Sequence, residues 1–408
     1  MPPKLATIPS HAVLIDLTAG SEHLLSPDPS PAHGTSESED IGHQNVPSWS
    51  RQQSPCSVLS VASSGRLFAE PQQTLLFLDW DDTMFPCTEL FYKRGLPKRS
   101  KDWTPPDPEL LAALEPWQKA VKEFLGRACA VSDRCVILTN SRKPWVTSCL
   151  GQFAPELKSA FEGSDGPIIV YAPEVLKEKM KQESDKNACW ECFKPYLNTC
   201  CGGLAQFMEN EMSLMRERVP QPFFDCTQAK LTAMKREAAE FYSQYPGQTW
   251  KNIISLGDMF YEHEAVKTLQ ATRVPQEPRE RLRTKSFVLC PEPSLAALTL
   301  QLRVWSLLLP LCARFDGDVD LDLGRSPVPF EDLAAAFNLP QLSRLQLPSF
   351  FRSARERRRK SVEEMLDPRV PDSDELTADE HRAAEEFLDE LTIILQDAVL
   401  IPKFMKAE

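Results

Sequence analysis

Asp79 and Asp81 stand two apart in Leu78-Asp79-Trp80-Asp81-Asp82-Thr83, directly after the apolar run Thr74-Leu75-Leu76-Phe77-Leu78. Residues two apart on extended backbone project to the same side. This spacing therefore offers one carboxylate to attack and another to move protons. Phosphate monoesters hydrolyse extremely slowly in water. One solution splits the reaction: a carboxylate attacks phosphorus, and water then hydrolyses the aspartyl-phosphate. The chemistry needs a nucleophile, an acid/base group, a cation for the phosphoryl oxygens and a hard metal ion. Asp79 is the candidate nucleophile and Asp81 the candidate acid/base. Asp258 ends a second apolar run, and Glu262 follows one helical turn later, where it could hold a metal-bound water. Asp79, Asp81, Asp258 and Glu262 together form an oxygen-rich set of the kind Mg²⁺ prefers. Thr139 offers a hydroxyl and its own backbone amide, and Lys230 could supply the cation.

These residues need rigid supports, and the pattern provides them. Cys135-Val136-Ile137-Leu138 ends at Thr139, Ile168-Ile169-Val170-Tyr171 at Pro173, Ile253-Ile254-Ser255-Leu256 at Gly257-Asp258, and Ser286-Phe287-Val288-Leu289 at Cys290-Pro291. Continuous short apolar runs suit strands buried on both faces of a parallel sheet. Helical patterns at 111–128, 145–153, 230–242, 261–269 and 294–309 alternate with them. Alternation of this kind predicts βαβ units with right-handed crossovers. Polar residues then sit at the carboxyl ends of the strands, where open α/β sheets bind ligands. Segments 84–108 and 172–226 exceed a minimal core and are candidate caps over the site. The first carries Lys93, Arg94, Lys98, Arg99 and Lys101, suited to an anionic substrate.

Leu78-Asp79-Trp80-Asp81-Asp82-Thr83 resembles the first motif, DxDxT/V, of the haloacid dehalogenase-like superfamily. Val136-Ile137-Leu138-Thr139 resembles its second motif, and Ile254-Ser255-Leu256-Gly257-Asp258 with Glu262 is similar to its fourth, GDxxxD/E. Lys230 best fits the third, with Lys235 and Lys251 as rivals. The DWDDT spelling looks more like poorly characterised protist members than any phosphatase of known substrate. The resemblance covers roughly residues 74–300. It implies a Rossmann-like three-layer core with a parallel sheet, a Mg²⁺ cofactor, Asp79 as nucleophile, and Asp81 as acid/base with its main-chain carbonyl on the metal.

Plainer readings exist for each residue. Asp79 and Asp81 could cap a turn, Asp258 and Glu262 could start a helix, and Lys230 could lie on a helix surface. Cys189, Cys192, Cys200 and Cys201 read as reduced thiols in a cap rather than a zinc site, because an adjacent pair is unusual among structural ligands. His33 and His43 read as solvated, and His263 receives no role.

The whole chain bounds these readings. Its 408 residues carry a net charge of −12, which gives no global attraction to nucleic acid. Hydrophobic residues make up 42%, enough for a substantial core. Twelve cysteines without a secretory signal suggest reduced thiols and an intracellular, more cytoplasmic than nuclear, setting. The longest apolar stretch, 304–313, is too short for a membrane span and contains Pro310. Three units are expected: a disordered segment 1–70 with a small apolar island at Val13-Leu14-Ile15, a phosphoryl-transfer domain 71–315, and an extension 316–408. The extension contains the basic stretch 350–360, read as a solvated helix face. It also contains an amphipathic helix with Ala383, Phe387, Leu391 and Ile394 on one side, a possible surface for a protein partner. The expected activity is Mg²⁺-dependent phosphatase, with a silent interaction module or a phosphotransferase as alternatives.

Overall fold

The computed structural model describes residues 68–163, 166–191, 221–244, 251–273, 281–349, 351 and 376–397; of 183–191, 221–224 and 397 only the backbone is described. The expectations for segment 1–67, for Cys192, Cys200, Cys201 and the side chain of Cys189, and for most of 350–360 lie outside these residues.

Six strands form one parallel sheet: β1 (Thr74–Leu78), β2 (Arg134–Thr139), β3 (Ile168–Tyr171), β4 (Asn252–Gly257), β5 (Arg283–Val288) and β6 (Val319–Asp322). Their spatial order is β3-β2-β1-β4-β5-β6. The chain winds outward from β1 in one direction and then returns to add β4 on the other side. The topological switch point, where such sheets bind ligands, is therefore the crevice beyond β1 and β4.

The helices are α1 (Pro108–Val131), α2 (Trp145–Phe153), α3 (Lys158–Glu162), α4 (Ala172–Glu191), α5 (Gln221–Ser243), α6 (Phe260–Thr272), α7 (Leu295–Arg314), α8 (Pro329–Phe337) and α9 (Ala378–Asp397). Strand alternation assigns them to layers. Leu76, Leu78, Ile137 and Ile254 pack with α1, α2, α7, α8 and α9. Leu75, Phe77, Val136 and Ile253 pack with α4, α5 and α6 on the opposite face. Every residue of β1, β2 and β4 is buried, as their unbroken apolar runs require. The result is the expected three-layer, Rossmann-like α/β architecture.

The sheet extends beyond its expected limit at residue 315. β6 reads Val319-Asp320-Leu321-Asp322, too acidic to resemble a core strand. Asp322 Oδ1 accepts from the Arg325 amide at 2.9 Å, and Asp320 and the acids just before the strand meet β5 and α6. Asp316 Oδ1 accepts from Arg283 at 2.6 Å, and Asp318 Oδ1 from the Thr284 amide at 2.8 Å. Asp320 Oδ1 lies 2.9 Å from His263 Nε2, whose Nδ1 meets Ser286 Oγ at 3.2 Å. His263 thus pins the edge strand to α6.

The C-terminal extension also joins the core. Ala384, Phe387, Leu388, Leu391 and Leu395 of α9 are buried in the cluster built on α7, whereas Ala383 is exposed. The face expected for a protein partner is largely covered from within the chain. Among the described residues α7 is the one helix long and apolar enough to cross a membrane, and it is mostly buried in this core. Segment 172–226 begins with α4, which packs along α5 as part of a sheet-flanking layer; only 192–220 of that candidate cap lies outside the described residues.

A polar network ties the amino ends of the strands together. Asn252 Nδ2 donates to Thr74 Oγ1 and to the Ala313 carbonyl, while its Oδ1 accepts from Lys285 Nζ at 2.6 Å. Lys285 is fully buried, and desolvation lowers its pKa to about 7. Between pH 7 and the normal lysine range of about 10.4, the unfolded chain holds a proton that the native state lacks, so stability rises with pH across that window. Lys285→Met is expected to flatten this rise, which urea unfolding at pH 7 and pH 9.5 measures. An unchanged slope would refute the assignment.

Candidate functional site

β1 ends at Asp79, whose amide still donates to the Leu256 carbonyl of β4 at 2.9 Å. The ladder therefore holds the backbone of Asp79 rigidly at the switch point. The chain then turns back: the Met84 and Phe85 amides both donate to the Trp80 carbonyl. Asp82 adopts a left-handed conformation at φ 54°, tolerated by aspartate better than by most residues. Its carboxylate accepts from the Thr88 amide at 2.8 Å and from Thr88 Oγ1 at 2.5 Å. Burial raises its pKa to about 6, against the opposing pull of those two hydrogen bonds. The third aspartate of DWDDT is thus a turn lock, a role the motif spacing does not reveal.

The three lysines differ in burial and contacts. Lys230 is fully buried, whereas Lys251 is half-buried and Lys235 exposed. From α5 its ammonium reaches Asp79 Oδ1 at 2.5 Å and Glu262 Oε1 at 2.8 Å, and it donates to the Leu138 carbonyl at the end of β2. One cation therefore joins β1, β2, α5 and α6. Desolvation opposes its charge, but Asp79 and Glu262 outweigh it and raise the Lys230 pKa.

The acids differ in their partners. Asp258, just past β4, is buried and accepts from Thr83 Oγ1 at 3.4 Å. Desolvation first, then the charges of Asp79, Glu262 and Asp82, push its pKa well upward. Burial also raises Asp79 despite Lys230, and raises Glu262 to about 8. Asp81 turns instead to neutral donors. Thr139 Oγ1 reaches its Oδ2 at 3.2 Å, Ser141 Oγ the same oxygen at 2.7 Å, and Trp145 Nε1 its Oδ1 at 2.7 Å.

The sequence-predicted residues Asp79, Asp81, Thr139, Lys230, Asp258 and Glu262 all lie at this end of the sheet. They are not gathered into one metal cage of side chains. Among the described residues, no three His, Cys, Asp or Glu side chains are grouped to hold a metal ion. The reason is visible in the pairing: Lys230 occupies Glu262 and one oxygen of Asp79, while hydroxyls and an indole occupy Asp81. Ser141 and Trp145 were not anticipated. A hydroxyl two residues past a strand-end threonine is a weak sequence signal, and an indole at a helix start normally reads as core.

Gly257 has a specific steric task. A Cβ there would lie 2.8 Å from Glu262 Cγ and 3.1 Å from its Cδ. Glycine lets the Glu262 side chain lie across the strand end to meet Lys230. Gly257→Ala is expected to displace Glu262 and cost about 1–3 kcal/mol, the usual range for overpacking. Denaturant unfolding checks this, and a wild-type midpoint would contradict it.

Segment 84–108 folds down beside Asp81. Phe91 and Trp103 stack at 5.7 Å, and both pack on Trp145 of α2, at 5.3 and 5.7 Å. Its basic residues are partly neutralised. The buried Glu89 carboxylate lies 3.3 Å from Lys93 and 3.1 Å from Arg94, and Lys98 sits 3.6 Å over the Tyr92 ring. Arg99 and Lys101 remain exposed.

Compared with protein-family models, curated proteins and solved structures, the chain matches none of them.

Proposed function

We propose that this chain is a magnesium-dependent phosphatase that hydrolyses a phosphate monoester through an aspartyl-phosphate on Asp79. The observation that carries the reading is the Lys230–Asp79 contact at the switch point, with Asp258 beside it. A buried carboxylate fixed at a strand end, aligned by a lysine from another layer, suits a nucleophile.

The donor set fits Mg²⁺. That ion commonly takes one or two carboxylates and keeps several waters. Asp79, Asp258 and the Asp81 main-chain carbonyl are the ligands this reading assigns, with Glu262 left to Lys230. Charge arithmetic favours a divalent cation. A phosphate monoester would enter a buried cluster already richer in carboxylates than in ammonium. Two like charges 4 Å apart repel by about 4 kcal/mol at an effective dielectric of 20. When bound, the metal would neutralise the phosphoryl oxygens.

The chain's own residues perform the remaining work. Asp79 attacks phosphorus as the bond to the leaving oxygen breaks. Asp81 gives that oxygen its proton, and later takes one from the water that releases phosphate. Lys230 holds the Asp79 carboxylate in place and offsets its charge. The acceptor of the second step could be another hydroxyl in place of water, which product analysis distinguishes.

A second reading, a catalytically silent interaction module, draws on the closed pairing of Lys230 with Asp79 and Glu262. Mg²⁺-dependent phosphate release from an aryl phosphate, together with trapping of aluminium fluoride, tests between them. Failure of both would leave the silent module.

A further inference from the structure

We infer that Trp145 is a positioning residue for Asp81, fixing the orientation of its carboxylate. The inference rests on the phosphatase reading and deepens it.

The geometry of the Asp81 carboxylate is unequal between its two oxygens. Oδ1 accepts from the Trp145 indole at 2.7 Å, while Oδ2 faces the hydroxyls of Ser141 at 2.7 Å and Thr139 at 3.2 Å. An indole N–H can only donate, whereas a hydroxyl can donate or accept. An oxygen facing an indole must accept, so Oδ1 is committed to the Trp145 N–H, and Oδ2 is the oxygen left to groups that can either donate or accept.

The indole is itself held. Trp145 is the first residue of α2, and its ring packs on Phe91 and Trp103 and lies edge-on to Phe85, 6.5 Å between centroids. Those three aromatics belong to the segment that follows the nucleophile. The same packing that folds this segment against the core aims the donor at Asp81. A carboxylate held by these donors, with the Cys87 thiol also hydrogen-bonded to it, loses little freedom at the moment of proton transfer, which is the benefit of preorganisation. In the first half-reaction Asp79 bonds to phosphorus as the leaving oxygen departs, and Asp81 gives that oxygen a proton, releasing an alcohol. In the second, Asp81 takes a proton from water as the water oxygen bonds to phosphorus and the acyl-phosphate bond to Asp79 breaks.

Trp145→Phe keeps a ring in the aromatic wall and removes the N–H. Two esters separate positioning from packing. An alkyl phosphate has a poor leaving group that needs the proton, whereas a nitrophenyl phosphate departs largely without it. The ratio of kcat/KM for the alkyl ester to that for the aryl ester is expected to fall tenfold or more in the variant. Equal slowing of both esters would make Trp145 a packing residue and overturn the inference. Independently of turnover, the Trp145 indole ¹H–¹⁵N resonance, assigned by its loss in Trp145→Phe, is expected to shift in Asp81→Ala. An unmoved indole overturns the inference while leaving the phosphatase reading intact. A wild-type protein that hydrolyses neither ester fails that reading first, and the catalytic role of Trp145 with it.

Discussion

Asp79→Asn is expected to abolish phosphate release, by about 10⁴-fold or more, the scale seen when a covalent nucleophile is removed. An amide oxygen cannot form the aspartyl-phosphate, so no residual pathway of comparable rate remains. The fold should survive. Asp79 is buried at 6% exposure, and its desolvation raises its pKa even beside Lys230, so the native state gains little from its charge. Glu262 remains as the counter-charge for Lys230 at 2.8 Å. The assay is Mg²⁺-dependent turnover of an aryl phosphate, with circular dichroism confirming the fold. A second readout identifies the bond itself: wild-type protein quenched during turnover should carry hydroxylamine-labile phosphate, and the variant none. Equal activity in a folded variant would end the nucleophile assignment and move the chemistry elsewhere.

The legible parts of this protein were those set by local pattern. Apolar runs of four to six residues ending in Asp79, Thr139 or Asp258 marked strands and their tips, because a strand buried on both faces must be apolar throughout and its first polar residue marks the edge. Parallel pairing then placed those tips together. What escaped depended on partners remote in sequence. β6 was missed because Asp320 is matched by His263 and Lys267, Asp322 by the Arg325 amide, and the acids just before the strand by Arg283 and the Thr284 amide. Spacing ranked Lys230 first but left Lys235 and Lys251 as rivals, since burial follows from how α5 lies on the sheet. Asp82 gave no hint of its left-handed turn, and Trp145 none that its N–H, rather than its ring, was the feature of interest.

Lys230→Met carries the second large effect, and here stability moves as well as activity. The substitution fills nearly the same volume but withdraws the cation from between Asp79 and Glu262, both of which are buried. Breaking a buried ion pair by removing one partner costs about 3–5 kcal/mol, because a charge is left uncompensated. The deficit has a predictable pH dependence. Burial already raises the Glu262 pKa to about 8, with Lys230 the main influence holding it down. A carboxyl whose native pKa lies above its unfolded value binds more protons when folded, so stability falls as pH rises between the two values. Without Lys230 the Glu262 carboxyl titrates above 8, so the variant goes on losing stability with pH where the wild type levels off. Urea unfolding in chelator-containing buffer should therefore show a smaller deficit near pH 7 and a larger one near pH 10, while activity is lost at both. A deficit independent of pH would mean that Lys230 contributes packing alone. That result would remove the electrostatic bridge on which the alignment of Asp79 depends.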